Sequence, residues 1–206
     1  MKHLQWSPNV EIESHNGIRE ISIFTRHLGK RRIFLTGEIN REMANDIVAQ
    51  LLYLQDESEE PIYLYINSGG GEVNAGLLIY DVLQSITIPV YTYCIGQASS
   101  MAAILLAGGQ PGRRFILPHS KTMIHEPLLA GGVGGSATSI RNISDSILET
   151  RKLVNGILAK HTGKSIKEID KATSFDNYMN AEKSVEFGIC DKIVTNMLVA
   201  EEDVNG

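Results

Sequence analysis

Two adjacent serines, Ser99 and Ser100, stand in the stretch "GQASSMAAILLAGG", between a strand-like run and an apolar run suited to burial or a helix. The first amides of a helix have no internal hydrogen-bond partners and the helix dipole favours negative charge, so an oxyanion could be stabilised at such a turn. A serine hydroxyl is a weak nucleophile until a base removes its proton, so nucleophilic chemistry here requires a histidine. The plainer alternative is that one serine caps the helix and that small residues permit close packing.

The chain has six histidines. His3 and His15 fall in an irregular amino-terminal stretch, His27 in the charged "TRHLGK", and His119 in the turn-like "LPHSKT". His161 ends a long helical pattern, where an imidazolium would suit the dipole. His125, in "KTMIHEPLL", closes an apolar run stopped by Pro127, a position expected at the mouth of a sheet. A triad also needs a carboxylate to orient the imidazole. Asp176 in "TSFDNYMNAEKS" follows an irregular stretch, but composition does not select it over Asp145 or Asp170.

Gly69 to Gly71 lie where a strand hands over to a helix, a place where backbone amides can approach a ligand closely. No nucleotide motif accompanies them. "GKS" at Gly163 to Ser165 lacks the upstream glycine of a phosphate loop, Leu158 standing there, and "GGGEVNAG" places Asn74 where a dinucleotide fingerprint needs glycine.

The elements that position these residues follow from composition and periodicity. The 206 residues are 43% hydrophobic and 21% charged, as expected for one globular domain, here residues 18–206 behind a mobile segment 1–17 with the turn signal "SHNG". A net charge of -5 argues against nucleic acid as partner. Cys94 and Cys190 lie in apolar stretches without metal-ligand spacing, which suits buried thiols in a cytoplasmic protein, with no metal and no cofactor. The opening "MKHLQWSPNVEIES" is too polar for a signal peptide, and the longest apolar run, Met101 to Ala107, is too short for a membrane span.

"IFL" followed by "NREMANDIVAQLLYLQ", with Met43, Ile47, Leu51 and Leu54 at helical spacing behind an Asn40 cap, reads as strand then helix. "PIYLYINSGGG" with "AGLLIYDVLQSI", and "VYTYCIGQASSMAAILLAGG", repeat the unit. Three such units predict an α/β fold with a largely parallel sheet and right-handed crossovers. Ile140, Ile143, Ile147, Val154 and Ile157 then mark one long helix over Ala137 to His161, far beyond the ~11 to 12 residues usual in globular proteins, which predicts that part of it projects towards a partner subunit.

Across nearly the whole chain after Gly17, the stretches "TRHLGKRRIFLTGEI", "ANDIVAQLLYL", "IYLYINSGGGEVNAGLLIYDVLQ", "CIGQASSMAAILLAGG", "MIHEPL", "HTGKSI" and "DNYMNAEKSVEFGICDKI" occur in the order and spacing of the Clp protease proteolytic subunit (ClpP) family of serine peptidases, which this sequence resembles. The resemblance implies the ClpP/crotonase-like fold of repeated β-β-α type units with a long projecting handle helix. It implies Ser100 as nucleophile, His125 as general base and Asp176 as the orienting carboxylate. It also implies an oxyanion hole from the amides of Gly71 and Met101, and an extended substrate beside Gly70, Gly71, Glu72 and Val73 and beside Pro127, Leu128 and Leu129. The implied partners are further copies of the chain in two stacked seven-membered rings, homomeric or mixed with a paralogue, and a ring-shaped AAA+ unfoldase that uses ATP to feed in unfolded polypeptide. No nucleic acid or membrane partner is implied.

The sequence departs from the family pattern in five places. Gly69 replaces a proline, Glu126 replaces a glutamine beside the base, and the loop Leu129 to Ser136 is longer. Ser174 and Phe175 replace an acidic-Arg pair that couples ring contact to the site, and the first 16 residues lack the usual axial-loop sequence. Two other readings follow: a weakly active or inactive structural subunit of a mixed assembly, and a crotonase-type acyl-CoA enzyme, which shares the oxyanion hole but does not require the Ser, His, Asp set.

Overall fold

The computed structural model describes residues 8–14, 17–129, 131–132 and 134–197. Strands β1 (Asn9–Ser14) and β2 (Gly17–Ser22) pair antiparallel, so a hairpin occupies part of the stretch expected to be an irregular arm, and α1 (Ile23–Leu28) follows. The first seven residues and residues 15–16, on which the rest of that expectation falls, lie outside the described residues.

The predicted strand-helix units are present: β3 (Arg32–Thr36) with α2 (Arg41–Glu57), β4 (Ile62–Ser68) with α3 (Val73–Ser85), and β5 (Val90–Ser99) with α4 (Met101–Ala107). Two short strands, β6 (Arg114–Ile116) and β7 (Lys121–Ile124), precede α5 (Ala137–Thr162), and α6 (Ile166–Thr173), β8 (Asn177–Asn180), α7 (Ala181–Phe187) and β9 (Lys192–Ile193) complete the chain. Two-strand units thus precede α1 and α5, whereas α2, α3 and α4 each follow a single strand.

The sheet runs β3-β4-β5-β6-β9, all parallel, as continuous apolar strands joined by helices require. β5 serves two neighbours in succession. Its residues 92–94 pair with β6 and its residues 97–99 with β7, and between them Gly96 adopts φ +113°, where a Cβ would press on the Asn67 side chain. β8 then adds to β7 antiparallel, with Ile124 opposite Asn177.

Side chains alternate across the pleat. Ile33, Leu35, Leu64 and Ile66 join Ile47, Leu51 and Ile79 of the helices in the main core, while Tyr65, Tyr91, Tyr93 and Phe115 form a second, aromatic cluster. Asn40 caps α2 by accepting from the Met43 amide at 3.0 Å, as its position predicts. In α5 the apolar stripe divides: Val154, Ile157 and Leu158 are buried, whereas Ile140, Leu148 and Leu153 are exposed.

Arg114 ties the carboxyl ends of α4 and α5 together. Its guanidinium forks onto Asp191 at 2.6 and 3.0 Å and donates to the carbonyls of Ala107 and His161. The His161 ring meets the Tyr80 hydroxyl at 2.8 Å. Burial, then the neighbouring Lys160 and Arg114, push this imidazole down from 6.5 to about 4. The unfolded chain therefore binds a proton that the folded chain refuses, and stability falls as pH drops from 6.5 towards 4, with no contribution above that window. Denaturant midpoints at about pH 7.5 and about pH 5 are expected to differ in that sense, and His161→Gln to narrow the difference.

Candidate active site

Ser100 sits at the junction of β5 and α4 with φ 54° and ψ -125°, and its side chain makes no capping hydrogen bond. A non-glycine residue held at positive φ costs about 1 to 3 kcal/mol, and such strain collects where geometry is imposed for function. Backbone bonds impose it here: the Ser100 amide donates to the Met123 carbonyl at 2.8 Å and its carbonyl accepts from Ala103 at 3.0 Å. Capping is therefore not what this serine does. Ser99 remains a buried member of β5, opposite Met123.

His125 directly follows β7, and Asp176 directly precedes β8, so the antiparallel register sets them side by side. The His125 Nδ1 lies 3.0 Å from Asp176 Oδ1 and its Nε2 lies 2.9 Å from Ser100 Oγ. An ionised carboxylate only accepts, so Nδ1 carries the proton, and Nε2 of the neutral ring is left to accept from the serine hydroxyl. The imidazole is largely covered, at 15% exposure, and the carboxylate is 57% exposed.

The other candidates are engaged elsewhere. His27 stacks edge-on against Phe34, His161 serves Tyr80, Asp170 accepts from the Asn155 amide at 2.7 Å, and Asp145 is exposed on α5. His3 and His15 lie outside the described residues. Burial raises the Cys94 thiol to about 12 and the Cys190 thiol higher still, so neither offers a thiolate.

The glycine run meets the same point from β4. Gly70 has φ +93°, and a Cβ there would stand 2.7 Å from Ser100 Cβ and from the Ser99 carbonyl oxygen. Gly71 bridges Ile39: the Ile39 amide donates to the Gly70 carbonyl and the Glu72 amide donates to the Ile39 carbonyl, both at 2.8 Å, which turns the Gly71 N–H away from Ile39. A side chain at Gly71 would collide with the Ile39 backbone. Gly69, where a proline was expected, has no positive φ and open space around it.

The sequence model of the Clp protease family matches residues 15–197. The chain belongs to the Clp protease family. Clp proteases are peptidases of the serine type, and the mixed α/β architecture with its mostly parallel sheet accords with the ClpP fold.

In this Clp protease a shallow recess, open to solvent, adjoins Ser100 and His125. Val73, Met101, Ile104, Ile124, Val154 and Leu158 line it, so its chemistry is apolar. Pro127 reaches the recess, whereas Leu128 and Leu129 stand exposed beyond it. The longer loop at 129–136 includes residues 130 and 133, which lie outside the described residues.

Sequence reasoning did not foresee the part played by α5. The Asn155 side chain, 1% exposed, bonds Thr173 and Asp170 of α6, and the Thr173 carbonyl accepts from the Glu126 amide at 2.7 Å. The Glu126 carboxylate pairs with Arg151 at 3.2 Å. One turn of α5 thus braces both the segment after His125 and the helix before Asp176. A buried Asn amid the apolar stripe was the available signal, since a buried amide requires partners.

Proposed function

We propose that this Clp protease is a serine endopeptidase in which Ser100 attacks the peptide carbonyl, His125 takes the serine proton and returns it to the leaving amine, and Asp176 holds the imidazole in that tautomer. The observation that carries the reading is the unbroken chain Ser100–His125–Asp176 within one polypeptide. Water then attacks the acyl-enzyme with His125 again acting as base. The amides of Gly71 and Met101 receive the oxyanion, supported by the orientation of Gly71 and by Met101's place at the start of α4.

Substrate lies extended between Gly70–Val73 and Pro127–Leu129, bound through its backbone, with an apolar side chain against the apolar surface beside Ser100. The working form is two stacked rings of seven, with the exposed half of α5 making contacts between them, fed unfolded polypeptide by an AAA+ unfoldase that supplies the ATP chemistry. A cytoplasmic location accords with two buried, unpaired thiols, and no helix among the described residues is long and apolar enough to cross a membrane. The exposed Phe175 beside Asp176, where the family carries a coupling arginine, favours a second reading as a weakly active subunit of a mixed ring. The acyl-CoA reading gives way to the family match.

Fluorophosphonate treatment followed by intact mass and peptide mapping tests the proposal. One adduct on Ser100, with faster cleavage after leucine than after aspartate in model peptides, is expected. An assembled but unlabelled protein would favour the second reading.

A further inference from the structure

Gly76 lies inside α3, buried, on the turn after the glycine run. Glycine is unfavourable in a helix interior because it surrenders more backbone freedom than alanine, so its presence there calls for a contact that excludes a side chain. The contact is with Met101. A Cβ on Gly76 would stand 2.6 Å from Met101 Cε, 3.0 Å from its Cβ and 3.2 Å from its Cγ. The terminal methyl could swing aside. The Cβ cannot, because it is bonded to the Cα that carries the Met101 amide.

Met101 is held from two sides by residues of one segment. Gly70 approaches its amide, the point where a Cβ on Gly70 would be 3.3 Å from the nitrogen, and Gly76 admits its side chain. Met101 is 2% exposed and opens α4 next to Ser100.

We infer that Gly76 is a positioning residue for peptide hydrolysis: having no side chain, it lets Met101 seat against α3 and so fixes where the Met101 N–H points. The role rests on the serine-peptidase reading above. A side chain at Gly76 pushes Met101 outward, displacing an amide whose value depends on where the carbonyl oxygen will be in the transition state, more than on where substrate sits in the ground state.

The test is a double-substitution cycle on the full, assembled chain with Gly76→Ala, Met101→Gly and both together. The readouts are kcat and KM on a leucine peptide, affinity for a peptide boronate whose tetrahedral adduct places an oxygen at the oxyanion position, affinity for a product peptide, and melting temperature. Gly76→Ala is expected to lower kcat about 10- to 100-fold with KM within about twofold, and to weaken boronate but not product binding. Within the Met101→Gly background the same substitution is expected to change kcat by less than about threefold, because the Cβ that cannot move aside, and the atoms beyond it, are gone.

A wild-type kcat in Gly76→Ala overturns the role, as does a loss undiminished in the Met101→Gly background. A lowered melting temperature with unaltered boronate affinity reduces Gly76 to packing and overturns it equally. Should Gly76→Ala fail to fold, the comparison of the double variant with Met101→Gly decides on the same threshold. A wild type inert towards both peptide and boronate overturns the peptidase reading, and this inference with it.

Discussion

Ser100→Ala is expected to lower peptide hydrolysis by about 10⁵ to 10⁶ and to eliminate the fluorophosphonate adduct, as removal of a triad nucleophile does elsewhere. Ser99→Ala, one residue away, is expected to retain the adduct and to hydrolyse peptide within about threefold of wild type, since its hydroxyl is no part of the relay. The contrast follows from geometry. Ser100 Oγ is 2.9 Å from His125 Nε2, whereas Ser99 is a buried ladder residue opposite Met123. The positive φ of Ser100 supplies an independent readout. Glycine adopts that backbone without strain, so Ser100→Gly is expected to be more stable than Ser100→Ala by about 1 kcal/mol, though both are inactive. Denaturant midpoints of the two variants measure it. Equal midpoints would mean that the strain is carried elsewhere than at Ser100.

Asp176→Asn is expected to lower kcat by about 10⁴ with little change in melting temperature. An amide in place of the carboxylate can donate to Nδ1, which moves the ring proton to Nε2 and leaves nothing to accept the Ser100 proton. The side chain is 57% exposed, so its replacement removes little buried contact. Two other aspartates separate this effect from general damage. Asp145→Asn, on the exposed face of α5, is expected to be neutral, and Asp170→Asn to lower stability more than the chemical step, because Asp170 accepts from buried Asn155. Steady-state kinetics beside thermal melts on the three variants provides the check. If Asp170→Asn alone loses kcat with its stability intact, the orienting role does not belong to Asp176.

The strand-helix rhythm of the chain was legible because periodicity is a local property: Ile47, Leu51 and Leu54 announce α2, and the Asn40 cap announces where it starts. The hairpin β1–β2 was harder to read: Val10 and Ile12 alternate with polar neighbours and are half-buried, but "GIREIS" spaces its two isoleucines three apart and is mostly exposed, so the partner strand shows no matching pattern. At the site, residue types alone suggested one of Ser99 and Ser100 together with His125, but left Asp145, Asp170 and Asp176 equal. What separates them is the register of β7 against β8, a pairing between residues some fifty positions apart that no local pattern encodes. Gly76 escaped notice for a related reason. Within "NAGLLIYDV" it reads as a weak point in a helix, and only the approach of α4 gives it a purpose.

The division of β5 has a mechanical consequence. Ser100 hangs from the frame of the molecule, at the end of the strand that β4 and β6 flank. His125 and Asp176 sit together on a separate leaf, β7 with β8, which joins that frame along Gln97, Ala98 and Ser99. A small tilt of the leaf would alter the distance from Ser100 to His125, while that from His125 to Asp176 would travel with it unchanged.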